Sequence, residues 1–123
     1  MGKFSREKGK RGERLFVSLC KENGFDGVRR SVQYCGKTGD AADLTGLPGI
    51  HVECKFVERL NVREAMEQAT HDAEEAGKGG LPIVAHKKSN ESWLVTMRAE
   101  DWFRIYREYE AGLDLRPIAK HAR

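Results

Sequence analysis

The sequence AADLTGLPGIHVECKFV, residues 41–57, predicts two β-strands joined by a turn. Gly46-Leu47-Pro48-Gly49 supplies the turn, because Gly tolerates positive φ and Pro fixes φ near the value that turns need. Every second residue of the following run is apolar, so Glu53 and Lys55 share the opposite face. The turn folds Asp43 back towards Glu53 and Lys55. We therefore expect two carboxylates and an amine to converge on one site.

These converging groups suit metal-assisted hydrolysis of a phosphodiester. Mg²⁺ prefers oxygen ligands and usually takes one or two protein carboxylates, with substrate phosphate and water completing its octahedron. The metal lowers the pKa of a bound water and neutralises charge on the phosphate, while a neighbouring lysine orients the water and stabilises the transition state. The alternative is an ordinary hairpin with charged side chains on its solvent face, as antiparallel sheets commonly have.

Asp43, nine intervening residues and Glu53-Cys54-Lys55 resemble the signature of the PD-(D/E)XK nuclease superfamily. Ala42 stands where that signature often has proline. The resemblance implies that Asp43 and Glu53 hold the metal and that Lys55 positions the attacking water. It implies Mg²⁺ as the cofactor, with Mn²⁺ as an alternative because both metals accept oxygen ligands.

A helix is predicted over residues 10–23, because apolar residues recur at helical spacing between Leu15 and Cys20. Residues 1–8 are expected to be polar and mobile. Glu13 borders the apolar stripe, and is either a glutamate favoured by the helix dipole or a third acid directed into the site. Gly12-Glu13 before an apolar helix resembles the first motif of the Holliday-junction resolvases of this superfamily. That resemblance implies that Glu13 completes the site and binds the metal through water.

A strand is predicted from Gly27 to Tyr34, in which paired arginines either grip phosphates or protect a sheet edge. The glycine-rich loop 35–40 delivers Asp43 and lacks the GxxxxGK pattern of a phosphate-binding loop. Its Asp40 is a second acid, and the Gly-Asp pair again resembles the resolvases, so Asp43 is expected as the ligand and Asp40 as a supporting residue. The residues expected to contact DNA are Lys10, Arg11, Arg14, Arg29, Arg30, Lys37 and Thr38.

Asn61 predicts the start of a second helix, with Glu64 at the capping-box position and Gly77 at the end. Small apolar residues between Val62 and Ala76 form a stripe that permits close packing on a sheet. Gln68 lies beside the stripe. It is either a solvated glutamine or a supporting residue, since several nuclease families of this type place a glutamine on the corresponding helix.

Two strands, 81–86 and 92–97, and a helix over 99–111 that ends at Gly112 complete the predicted elements. The last helix carries an aromatic stripe, Trp102, Phe103, Tyr106 and Tyr109. This stripe is interpreted as core or as a dimer contact, with a platform for stacking bases as the alternative.

The predicted order is helix, three strands, helix, two strands, helix. Its helix-strand-strand-strand-helix-strand part matches the core of the restriction-endonuclease-like fold, an α/β (α+β) architecture whose helices flank a central mixed sheet. We expect a single nuclease domain over residues 1–123, with a core of about 10–111 and a basic tail over 112–123.

The 123 residues are 39% hydrophobic and 33% charged, which predicts a soluble domain without a membrane span or signal peptide. A net charge of +3 permits a DNA partner without requiring one. Three cysteines without a C-x-x-C pair fit a reducing cytoplasm, which would be the host cytoplasm for a viral protein. The histidines and cysteines match no metal-site spacing, and His51 is expected as a hydrogen-bonded neighbour of the metal-binding acids.

The resemblance implies a Mg²⁺-dependent DNA endonuclease similar to the phage and archaeal Holliday-junction resolvases. It also implies a homodimer with one site for each opposing strand of the junction. Two alternatives stay open. One is a nuclease of the same superfamily acting on linear or nicked duplex, and the other is a non-catalytic DNA-binding module of the same fold. Such modules usually lose the acids or the lysine, which are all present in this sequence.

Overall fold

The structure is a computed structural model that describes residues 3–31 and 42–114. Its helices and strands are α1 (Lys3–Glu22), β1 (Arg29–Arg30), β2 (Leu44–Thr45), β3 (Ile50–Phe56), α2 (Val62–Ala76), β4 (Leu81–Lys87), β5 (Leu94–Met97) and α3 (Ala99–Asp114). The element order therefore follows the predicted one throughout the described part of the chain.

The strands form one mixed sheet in the order β1-β2-β3-β4-β5. β3 and β4 are parallel, in register from Ile50 opposite Leu81 to Phe56 opposite Lys87, and the other pairs are antiparallel. Parallel neighbours need a crossover, and α2 provides it between β3 and β4. The predicted mixed sheet is confirmed, and both long strands end at the same edge.

A helix covers each face of the sheet. On one face Phe16 and Cys20 of α1 lie in the larger core with Val28, which precedes β1, and with the strand residues Leu44, Val52, Ile83 and Ala85. Trp93 closes this core, with its ring centroid 5.0 Å from that of Phe16. On the other face Ala65 and Ala69 of α2 pack on Val84, so the small-residue stripe brings α2 close to the sheet. Both faces of β3 are thus covered.

The caps of α2 are those that the sequence predicts. The Asn61 side chain accepts a hydrogen bond from the Glu64 backbone N–H at 3.0 Å, and Gly77 ends the helix with φ +65°. These contacts satisfy backbone groups that a helix end leaves without partners.

Several predicted boundaries are wrong. α1 begins at Lys3, because the lysines, arginines and glutamates of its first turns are good helix formers. Residues 1–8 were expected to be mobile, but the chain is helical from Lys3 onward. The strand predicted over 27–34 is limited to Arg29–Arg30 among the described residues, and positions 32–34 lie outside them. β5 begins at Leu94 instead of residue 92.

The last helix also departs from prediction. α3 continues through Gly112 to Asp114, because an interior glycine costs only about 1 kcal/mol relative to alanine. Its aromatic stripe is not part of this chain's core, since Trp102, Phe103, Tyr106 and Tyr109 are 40–59% exposed. None of the described helices is long and apolar enough to cross a membrane.

Candidate active site

The pairing of β2 with β3 brings two acidic side chains together. Leu44 lies opposite Val52, which sets Asp43 beside Glu53. The backbone holds this arrangement, because the Asp43 N–H donates to the Val52 carbonyl at 2.9 Å. The Asp43 carboxylate accepts a hydrogen bond from the Cys54 backbone N–H at 2.8 Å, and it also shares a hydrogen bond with the Glu53 carboxyl. Asp43 and Glu53 form what we call the carboxylate pair.

The electrostatics of the carboxylate pair are unfavourable for two negative charges. Burial raises the pKa of Glu53 to about 8, with further contributions from the charges of Asp43 and Asp72. Burial likewise raises the pKa of Asp43, against the opposing effects of the Cys54 N–H and the Lys55 charge. Two adjacent carboxyls in a poorly solvated place favour a shared proton or a bound cation.

Lys55 lies two residues beyond Glu53 on β3 and is half-buried. Its positive charge favours ionisation of both carboxyls, so the predicted convergence of two acids and an amine is found. The competing interpretation, a hairpin with charges on its solvent face, is wrong because α2 covers that face and Glu53 is only 8% exposed.

Glu13 approaches the carboxylate pair from α1. Its carboxylate accepts a hydrogen bond from Arg30 Nε at 2.9 Å, an ion pair that joins α1 to β1. Burial raises the pKa of Glu13, the bond from Arg30 opposes that effect, and the charge of Asp43 adds to it. Glu13 is therefore within electrostatic reach of Asp43, while Arg30, predicted to contact DNA, also holds Glu13 in place.

Gly12 explains how α1 comes so near β3. A Cβ added at Gly12 would lie 2.5 Å from Cβ of Phe56, which is closer than real Cβ contacts come. The absence of a side chain at this position thus sets the spacing of α1 from β3 and the approach of Glu13 to the site.

Gly12→Ala is expected to destabilise the protein by about 2 kcal/mol, because overpacking a tight helix–sheet contact forces the backbones apart. Gly9→Ala is the matched control on the same helix, since nothing lies within 4 Å of its added Cβ. That variant should gain up to about 1 kcal/mol from helix propensity. Urea unfolding of the two variants and the wild type measures both effects. Equal stabilities for the two alanine variants would contradict this account of Gly12.

Two buried residues lie near Glu53: His51, which the sequence predicts as a neighbour of the acids, and Asp72, which it does not. His51 Nε2 lies 3.0 Å from Glu53 Oε2, as expected for a hydrogen-bonded neighbour of the acids. Asp72 of α2 is 4% exposed, accepts a hydrogen bond from Gln68 Nε2 at 2.9 Å, and contributes to the raised pKa of Glu53. Gln68 thus reaches the site through Asp72. The sequence pattern did not single out Asp72, although an acid among the alanines of an apolar stripe is an available signal.

Basic side chains gather where β3 and β4 end. The Phe56 ring has Lys8 Nζ at 4.9 Å and the Arg11 guanidinium and Lys87 Nζ at 5.6 Å from its centroid. Lys8 also pairs with Glu58 at 3.1 Å. Of these three side chains the sequence predicts only Arg11 as a DNA contact, because the cluster exists only once α1 is placed over β3.

The other predicted DNA contacts are divided between the surface and the undescribed segment. Lys10, Arg14 and Arg29 are exposed. The predicted residues Lys37, Thr38 and Asp40 lie outside the described residues.

Comparison with known proteins identifies the family. The family model described as archaeal Holliday junction resolvase (Hjc) matches residues 4–123. The chain belongs to this family. It is therefore a Holliday-junction resolvase, a nuclease that acts on branched DNA. A search of curated proteins finds no match.

A solved structure supports the fold. The Hjc Holliday junction resolvase from the archaeal hyperthermophile Archaeoglobus fulgidus superposes with a TM-score of 0.53 at 20% identity. The match covers 72% of this chain and 76% of that one. The predicted restriction-endonuclease-like fold is confirmed. The matched family is described as archaeal, so of the phage and archaeal resolvases that the sequence resembles, the comparison supports the archaeal ones.

Resolvases of the Hjc family depend on a divalent metal, and the donor chemistry of this site fits one. Among residues 3–31 and 42–114, no three or more His, Cys, Asp or Glu side chains group closely enough to form a protein cage for a metal. The carboxylate pair nevertheless provides two carboxyl groups as oxygen ligands. Burial opposes the ionisation of both carboxyls, so a bound cation would be favoured there. Two carboxylates, completed by phosphate and water, are what a hard divalent cation commonly uses.

Proposed function

We propose that this Hjc-family protein resolves four-way junctions as a Mg²⁺-dependent homodimer in the cytoplasm, with Asp43, Glu53, Lys55 and Glu13 as its active site. The carboxylate pair beside Lys55 carries the proposal, because it places two carboxyl groups of raised pKa next to the positive charge of Lys55 where β2 pairs with β3. Mn²⁺ can replace Mg²⁺ in such an oxygen site.

Each residue has a distinct task in this proposal. Asp43 and Glu53 would hold the cation, which when bound would neutralise charge on the phosphate and lower the pKa of a water. Lys55 would orient the attacking water and offset negative charge on the phosphate. Glu13, steadied by Arg30, supports the metal site through water and limits how far α1 can move from it.

The basic side chains supply the contacts to DNA. Lys10, Arg11, Arg14 and Arg29 expose their charges along α1 and β1, and Lys8 and Lys87 extend this surface around Phe56. Contacts of this type position the DNA backbone and do not read sequence. Recognition of a junction would accordingly depend on its branched shape.

A cleavage assay tests the proposal. Wild-type protein is incubated with a four-way junction and with a linear duplex of matching sequence, in Mg²⁺ and in EDTA. We expect paired, symmetric nicks in opposing strands of the junction in Mg²⁺ alone, because a homodimer presents one site to each strand.

The other outcomes separate the alternatives. Equal cleavage of both substrates would retain the nuclease and exclude junction specificity. Unpaired nicks would argue against two coordinated sites. Binding of the junction without cleavage in Mg²⁺ or Mn²⁺ would favour a non-catalytic module.

A further inference from the structure

His51 and Glu53 lie two residues apart on the face of β3 that α2 covers. Their side chains are 6% and 10% exposed, and His51 Nε2 lies 3.0 Å from Glu53 Oε2. A carboxylate that binds a cation carries no proton and can only accept hydrogen bonds, so the ring would donate its Nε2–H to that oxygen when a metal is bound. His51 therefore engages one of the two oxygens that Glu53 could offer to a metal.

Asp43 is held in a similar way by the backbone of β3. Its Oδ2 accepts a hydrogen bond from the Cys54 N–H at 2.8 Å. Each member of the carboxylate pair thus has one oxygen next to a protein donor, Oε2 in Glu53 and Oδ2 in Asp43. The two carboxyls also share a hydrogen bond, so they approach each other closely enough for one cation to bridge them. These contacts favour a cation that takes one oxygen from each carboxylate.

The backbone that leads into β4 keeps His51 in this position. A Cβ added at Gly80 would lie 3.2 Å from the His51 backbone nitrogen and 3.3 Å from its Cβ, so the chain passes His51 in tight contact. Pro82 is the partner of His51 in the parallel pairing of β3 with β4. The ring is therefore confined by its neighbours while it contacts Glu53.

The number of oxygens that each carboxylate presents influences which cation a site prefers. Mg²⁺ requires nearly octahedral geometry, uses one or two protein carboxylates and keeps several waters. Ca²⁺ is larger, takes about six to eight oxygens and often binds both oxygens of one carboxylate. One oxygen from each of two carboxylates suits the smaller ion. Mn²⁺ accepts oxygen ligands as Mg²⁺ does, so it can serve as a paramagnetic probe of the same site.

We propose that His51 is a positioning residue that fixes Glu53 as a one-oxygen ligand and gives the carboxylate pair its preference for Mg²⁺ and Mn²⁺ over Ca²⁺. Removing a partner that orients a ligand typically costs about 10–100-fold in metal affinity. The inference rests on the proposed metal-dependent nuclease and names a determinant of which ion its site accepts.

Two amide variants of different reach test the inference. The side chain of His51→Gln carries an N–H donor near the position of Nε2 in the histidine ring, whereas the shorter side chain of His51→Asn ends near the position of Nδ1. Both are polar amides, so a difference between them reports the hydrogen bond to Glu53. His71→Asn is the matched control, because His71 is an exposed histidine on α2 for which we propose no role in metal binding.

Metal binding is measured without DNA, from the loss of the electron paramagnetic resonance signal of free Mn²⁺, with Ca²⁺ then added as a competitor. We expect His51→Asn to bind Mn²⁺ about tenfold more weakly than wild type. Its affinity for Ca²⁺ should change by less than about threefold, since Ca²⁺ accepts irregular oxygen sites. His51→Gln and His71→Asn should keep the wild-type preference for Mn²⁺. The ratio of the two affinities does not depend on the fraction of protein that is folded.

The outcomes separate this inference from the proposed activity. Wild-type ion preference in His51→Asn would overturn the inference, and so would an equal loss in His51→Asn and His51→Gln, which would give His51 a structural role alone. Either result would leave the nuclease in place if the wild type cleaves junctions. A loss of preference confined to His51→Asn, with a wild type that cleaves no DNA, would support the inference and contradict the proposed activity.

Discussion

Glu53→Gln is expected to lower the rate of junction cleavage by about a thousandfold or more while leaving junction binding intact. Glutamine keeps the size of the side chain and its contact distance to His51, but it removes the negative charge that would hold a divalent cation. Losing that cation removes several kcal/mol of transition-state stabilisation, and each 1.4 kcal/mol is about a factor of ten in rate. Single-turnover cleavage in Mg²⁺ measures the change.

A DNA-binding assay separates the effect of Glu53→Gln on cleavage chemistry from its effect on junction binding. Gel-shift assays in EDTA should show that Glu53→Gln binds the junction as well as wild type, because without metal the raised pKa of Glu53 keeps its carboxyl mostly uncharged near neutral pH, so the amide changes little charge. Glu75→Gln is the matched control, an exposed glutamate on α2 for which we propose no role in catalysis or binding. A Glu53→Gln variant with more than a tenth of wild-type activity would remove Glu53 from the metal site.

The fold was predictable because each long element carries its own signal. The alternation in β3, the Asn61 and Gly77 caps and the small-residue stripe of α2 act locally, so the sequence specifies those elements without knowledge of their neighbours. The Asp43 to Glu53-Lys55 spacing could likewise be read directly, since a hairpin brings nearby residues together.

The errors arise where distant parts of the chain decide the structure. The burial of His51 and Glu53 depends on α2 covering a face that the hairpin alone would leave to solvent. The role of Asp72 and the cluster of cations around Phe56 appear only when helices are placed on the sheet. The aromatic residues of α3 have a core-like spacing, but a helical pattern cannot say whether the covering surface belongs to the same chain.

Without metal, the stability of the protein is expected to fall by on the order of 3 kcal/mol between pH 5 and pH 8. The pKa of Glu53 is about 8 in the folded protein against 4.5 for an unperturbed glutamate. The folded state retains a proton that the unfolded state releases. The free energy of unfolding is therefore highest below the lower pKa and falls as pH rises through the higher one. Asp43, whose pKa burial also raises, contributes in the same direction.

Glu53→Gln should remove most of this pH dependence, because an amide carries no titrating proton. Burial lowers the pKa of His86, which makes stability rise with pH in part of the same range, but this contribution cancels in the difference between variant and wild type. Urea unfolding in EDTA at pH 5, 6.5 and 8 measures that difference, and Glu75→Gln should follow the wild type. Mg²⁺ or Mn²⁺ at pH 8 should restore the stability of wild type and not of Glu53→Gln, since a ligand that binds the folded state alone stabilises it. Parallel pH profiles for Glu53→Gln and wild type would show that the pKa of Glu53 is not raised in the folded protein, which contradicts this account of the carboxylate pair.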